Sequence, residues 1–125
     1  SAVTLDVGNP VCAIFVEDFN EIDWRTIGKE IESHPHFPDR TNVVFVKIID
    51  EENIEIRIWE RGAGETSSSG TCSIAAAVAS IFKKKTARKI SVHATGGTTE
   101  AIWREDDEME ITGRADLAFC GEWRI

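Results

Sequence analysis

Tyrosine is absent from the chain, methionine occurs once, and basic residues are scarce: 14 Lys plus Arg against 22 Asp plus Glu, a formal net charge of -8. That excess of negative charge opposes binding to a nucleic-acid backbone or an anionic membrane, so neither is an expected partner. The one basic cluster, Lys83-Lys84-Lys85, follows an apolar helical stretch, where cations are expected at the C-terminal end. Long hydrophobic runs are also missing. Nothing approaches the length needed to span a bilayer, and no charged region followed by an apolar stretch opens the chain, so a soluble cytoplasmic protein is expected.

Cysteine is limited to Cys12, Cys72 and Cys120, an odd number without metal-like spacing, and two of them lie in apolar segments where a buried thiol is the ordinary outcome. The pair His34 and His36 has no third ligand at a supporting distance and reads as part of a rigid proline-bounded loop. Glycine-rich dinucleotide, phosphate-loop and zinc signatures are absent, and no cofactor or metal is expected. The chain does not begin with Met and enters strand-like sequence at once, as a piece of a longer polypeptide would.

What is present is one domain's worth of packable sequence, residues 1–125, with 42% hydrophobic residues. Alternation predicts strands over residues 2–7, 11–16, 43–49, 54–60, 87–93, 96–104, 107–112 and 114–124. A peripheral helix is predicted from about Asp23, its N-cap, to Ser33, closed by His34-Pro35-His36-Phe37-Pro38. A second helix, residues 70–84, has the body Ala75-Ala76-Ala77-Val78-Ala79 and no charge before Lys83, which predicts burial on most sides. The implied architecture is α/β (α+β), a mostly antiparallel sheet wrapped around a central apolar helix.

The chain is organised around Trp59-Glu60-Arg61-Gly62-Ala63-Gly64-Glu65-Thr66-Ser67-Ser68-Ser69-Gly70-Thr71-Cys72-Ser73. Ile54, Ile56 and Ile58 share a strand face with Glu60, while Glu55, Arg57 and Trp59 share the other with Arg61, so a carboxylate ends an apolar row, as it would at the lip of a pocket. Small residues from Ser67 to Gly70 then leave the first amides of the apolar helix uncovered, a place that holds a carboxylate or phosphate. Glu60, Arg61 and those amides together predict a site for a small zwitterion. Asn9, at the rigid bend Gly8-Asn9-Pro10, either caps local backbone or reaches a ligand.

These motifs, with His34-Pro35-His36-Phe37-Pro38-Asp39-Arg40-Thr41-Asn42 and Thr112-Gly113, occur in an order that resembles the carboxy-terminal half of diaminopimelate epimerase over essentially the whole chain. The resemblance implies a two-domain protein of similar halves, each a sheet around a central helix, with the active site in the cleft between them. This chain would supply one wall, and the missing amino-terminal half would be its partner. The implied activity is cofactor-independent interconversion of LL- and meso-diaminopimelate in lysine biosynthesis, by one cysteine thiolate and one cysteine thiol on opposite faces of the α-carbon. By the match, Asn9, Asn42 and Arg61 hold the distal end of the substrate. Glu60 assists the acid/base group or the ammonium, and the amides of Gly70 and Thr71 meet the α-carboxylate.

Two positions depart from the pattern. Ser69 stands where the family has its catalytic cysteine, and a serine hydroxyl is a poor base at ordinary pH. Val11 stands where the family commonly has a histidine, and valine relays no proton. Cys72, three residues past Ser69, shares roughly its helix face about a turn deeper; a displaced nucleophile and a buried thiol are the alternatives there. The isolated half is expected to be catalytically silent. A related racemase, epimerase or dehydratase and a non-catalytic binding or assembly module remain open as functions, and an uncovered cleft wall is expected to favour a homodimer.

Overall fold

The computed structural model describes residues 1–124. In chain order these form β1 (Ala2–Asp6), β2 (Pro10–Phe15), a 3-10 turn (Phe19–Glu21), α1 (Trp24–Glu32), β3 (Asn42–Asp50), β4 (Asn53–Glu60), β5 (Gly64–Thr66), α2 (Gly70–Phe82), β6 (Lys89–Ala94), β7 (Gly97–Trp103) and β8 (Met109–Thr112). The strands make one sheet in the order β1-β2-β3-β4-β6-β7-β8, with β5 paired to β4. Pairing is antiparallel except for β2 with β3 and β4 with β6. Those two parallel pairs are the ones joined through helices, α1 and α2, as a parallel connection requires.

Helix α2 packs against all seven strands of that order, which therefore wrap around it. Its alanines permit the close approach: Ala75, Ala76, Ala77 and Ala79 are fully buried, together with Cys72. From the sheet, Val44, Val46, Ile54, Ile56 and Ile58 face this core. Burying each such side chain contributes about 1.5–3 kcal/mol, and α2 has no polar face to offer solvent. The alternate residues of β3 and β4 face outward, where Val43, Phe45 and Trp59 pack with Trp24, Ile27 and Ile31 of α1. Gly28 of α1 lies against Trp59 so closely that a Cβ there would come within 2.9 Å of the Trp59 Cβ. The fold is thus α+β, one helix inside the curled sheet and one outside.

Both helix starts are capped. Asp23 accepts from the Thr26 amide and, at 2.6 Å, from the Thr26 hydroxyl, while Ser69 Oγ accepts from the Cys72 amide at 3.2 Å. Helix α2 ends at Phe82, two residues before the expected boundary, because Lys84 takes φ 57°, the left-handed conformation that ends a helix.

The strand predicted over residues 114–124 does not form. Its alternation is real, but no sheet edge within the described residues pairs with it, and a strand without a partner leaves its backbone polar groups to solvent. Leu117, Phe119 and Trp123 are 82%, 83% and 91% exposed.

Candidate functional site

Strand directions gather the sequence-predicted residues at one end of the sheet. Strands β2, β3 and β7 begin there, β1, β4, β6 and β8 finish there, and α2 starts there. The rim consequently carries Asn9 before β2, Asn42 at the start of β3, Glu60 at the end of β4, and Ser69, Gly70 and Thr71 at the head of α2.

The head of α2 is open. Gly70 is exposed, and a Cβ placed on it would meet nothing within 4 Å. Neither its amide nor that of Thr71 finds an acceptor among the described residues, so two of the four N–H groups that a helix start leaves over are available to an anion. The preceding loop is fixed from the side: Ser67 carbonyl accepts from the Gly96 amide at 2.8 Å and from the Thr95 hydroxyl. The helix end opens onto a hollow of about 690 Å³ lined by Ser68, Gly70, Thr98, Gly113 and Arg114 among others. Arg114, at the head of the segment whose alternation predicts a strand, lines this hollow together with Asp116, to whose Oδ1 its Nε donates at 3.2 Å, so the two charges arrive there as a pair.

Glu60 lies on the same strand face as Ile54, Ile56 and Ile58 and so points toward α2, where its Oε1 accepts from Thr66 Oγ1 at 3.0 Å. Arg61, one residue on, goes the other way. Strand periodicity sends it toward the outer loop, where Nη1 donates to the Asp39 carbonyl at 3.2 Å. It lines a separate hollow of about 280 Å³ with Asp6, Pro10, His36, Phe37 and Arg40. Glu60, Arg61 and the helix amides therefore share a rim but not one pocket, and β4, which ends in Glu60, lies between the two hollows in strand order.

Asn42 is buried, and its Oδ1 accepts the Arg61 amide at 2.8 Å while Nδ2 donates to the Pro10 carbonyl at 3.3 Å. One of its N–H groups is left over. At the Gly8 bend the local cap comes from Asp6, whose Oδ1 accepts the Gly8 amide at 2.8 Å, and the half-buried Asn9 side chain has no hydrogen-bond partner among the described residues.

Ser69 caps α2, with its hydroxyl 3.3 Å from that of Thr71. Beneath it, Cys72 is fully buried; burial pushes its thiol up to about 11, the hydrogen bond to Ser69 opposing this and the Glu60 carboxylate adding to it. A thiol so placed is an inert one. Val11 is 1% exposed and belongs to the same core as Cys72. No group of three metal-ligating side chains is arranged to hold an ion among the described residues. No described helix is long and apolar enough to cross a membrane.

A curled sheet wrapped around one helix, with that helix's amides bare at the rim, defines an α+β helix-in-sheet domain. The chain belongs to the diaminopimelate epimerase family, whose model matches residues 3–118. It is 42% identical over 119 residues to the diaminopimelate epimerase of Pelotomaculum thermopropionicum, covering 95% of this chain and 42% of that protein. With the diaminopimelate epimerase of Leptospira biflexa the identity is 43% over 121 residues, covering 97% and 43%. The chain thus spans about two-fifths of the length of these relatives.

Among solved structures, a PhzF-family phenazine biosynthesis protein of Bacillus anthracis aligns at TM-score 0.59 and 15% identity over 88% of this chain and 37% of that one. A PhzC/PhzF protein of Clostridium difficile aligns at TM-score 0.57 and 21% identity, over 78% and 35%. At these identities the likeness is one of fold.

Proposed function

We propose that this chain is the carboxy-terminal half of a cofactor-independent amino-acid isomerase acting on diaminopimelate, and that it supplies one wall of an interdomain site. The observation that carries the reading is the open head of α2, whose Gly70 and Thr71 amides lack acceptors among the described residues, in a chain of this family. The α-carboxylate would dock on those amides. As the α C–H bond breaks, its electron pair spreads into the carboxylate, and fixed N–H donors stabilise the growing negative charge. Inversion then needs a proton delivered to the opposite face, which one wall alone does not provide. The partner is accordingly the amino-terminal half, and the isolated chain is expected to be silent.

Glu60, on the helix side of the rim, would sit near the reacting centre. Asn9, with its amide unpartnered, and Arg61, with donors facing the outer hollow, would receive the distal end of the substrate, positioned by Asn42. A molecule with an amino acid at each end fits two separated hollows better than a simple amino acid does.

Ser69 and Val11 favour a second reading, binding without efficient turnover. Ser69 offers a protonated hydroxyl where a thiolate is needed, Val11 is sealed in the core, and Cys72 is too deep and too weak an acid to replace either. The two readings separate in a complete two-half polypeptide: α-proton exchange in heavy water reports turnover, and calorimetric titration with diaminopimelate reports binding. Binding without exchange favours the second reading, and neither signal overturns both. Light scattering tests the accompanying homodimer, which a strictly monomeric mass excludes.

A further inference from the structure

We infer that Glu32, the last residue of α1, is a positioning residue that fixes Arg61 at the rim without touching it. Glu32 is 5% exposed, and its carboxylate accepts three hydrogen bonds: from Trp59 Nε1 at 3.0 Å, from the Gly62 amide at 2.8 Å and from Arg40 Nη2. A buried carboxylate is costly unless its acceptor sites are filled, so these bonds hold the three donors as firmly as they hold Glu32. Every donor is a neighbour of Arg61. Trp59 lies two residues before it and Gly62 one after. Arg40 adjoins Asp39, whose carbonyl accepts the Arg61 guanidinium.

The backbone supports the same assignment. Gly62 and Arg40 adopt φ of 79° and 65°, and for arginine the left-handed region is uncommon and needs a compensating contact, which Glu32 provides. With the Arg61 amide held by Asn42, the turn carrying Arg61 is clamped on both sides. A carboxylate serving packing alone has no need to collect the two segments that frame one exposed guanidinium.

This inference rests on the reading of Arg61 as the holder of the distal carboxylate, and the experiment separates the two. In a complete two-half polypeptide, calorimetry compares diaminopimelate with lysine, which lacks the distal carboxylate. Glu32→Gln, which turns an N–H₂ toward one of the donors, is expected to weaken diaminopimelate binding about tenfold. Lysine affinity is unchanged, and hydrogen exchange at the Gly62 amide quickens. Trp59→Phe, which removes the Oε1 bond and part of the indole's packing but leaves the Gly62 and Arg40 bonds, lowers stability and leaves the ratio of the two affinities as it was. If Glu32→Gln does not fold, Glu32→Asp, which keeps the charge but retracts it by one methylene, carries the same selective loss. Unchanged selectivity in the folded Glu32 variant, with Arg61→Ala losing it, overturns the inference and leaves the reading of Arg61 intact. Equal losses for both ligands also overturn it. Unchanged binding by Arg61→Ala overturns the reading beneath it.

Discussion

Asn42 reaches across from the start of β3 to accept the backbone amide of Arg61 at 2.8 Å, where β4 has ended. The same side chain donates to Pro10, so a single buried amide ties three rim segments together.

Replacing Asn42 by alanine is therefore expected to act on stability as well as on any ligand. The Arg61 amide and Pro10 carbonyl lose their partner at a half-buried position, at a cost of about 1 kcal/mol or more. Urea unfolding of the chain measures it, and a loss within error of zero contradicts the clamp.

Gly28→Ala gives an outcome opposite to what helix propensity suggests. Alanine favours a helix interior by about 1 kcal/mol, yet here its Cβ would meet Trp59 Cβ at 2.9 Å and Cγ at 3.0 Å, atoms held close to the β4 backbone. Overpacking of this kind costs about 1–3 kcal/mol, so net destabilisation is expected in thermal unfolding. A rise in Tm contradicts the packing of α1 on β4.

The thiols are expected to label in two classes. Cys120 is exposed and reacts rapidly in the native chain, whereas Cys12 and Cys72 are buried with thiols pushed up by burial, and react only after denaturation. Mass spectrometry after brief alkylation counts them. Rapid native labelling of Cys72 supports its role as a displaced nucleophile instead.

Glu32 also predicts a pH dependence. Burial works to raise its pKa, but the Gly62 amide, the Trp59 indole and the Arg40 guanidinium more than offset it and hold the carboxyl below 4.5. A depressed folded value stabilises the fold above about pH 4.5, and that stabilisation disappears as pH falls through the folded value. The stability gap between the native chain and Glu32→Gln is thus expected to narrow between neutral pH and pH 3. A gap constant across that range contradicts the assignment.

How far the sequence reveals this arrangement depends on whether a feature is local. The alternation of Ile54, Ile56 and Ile58 correctly assigns their burial against α2 and puts Glu60 on the helix side, because strand period alone decides the face. The Ala-rich body of α2 correctly announces a helix enclosed by strands. The same period puts Arg61 on the opposite face, with Glu55, Arg57 and Trp59, which agrees with its place at the outer hollow. Glu32 is illegible: as a glutamate in an amphipathic helix it reads as solvated, and its donors lie 8 to 30 residues away in the chain. Residues 114–124 carry a strand's pattern without a partner, since alternation specifies a face and not a neighbour.

The account depends most on the head of α2 serving as the place where an α-carboxylate is held while its α-proton is moved. Loss of the α-proton signal of diaminopimelate in heavy water, followed by NMR, tests this directly. The isolated chain is expected to cause none. The complete two-half polypeptide is expected to cause little with Ser69, and at least about a hundredfold more with Ser69→Cys, because a thiol at a helix N-terminus ionises far more readily. Exchange by the isolated chain, or a folded Ser69→Cys polypeptide that binds diaminopimelate without exchanging it, would contradict the account.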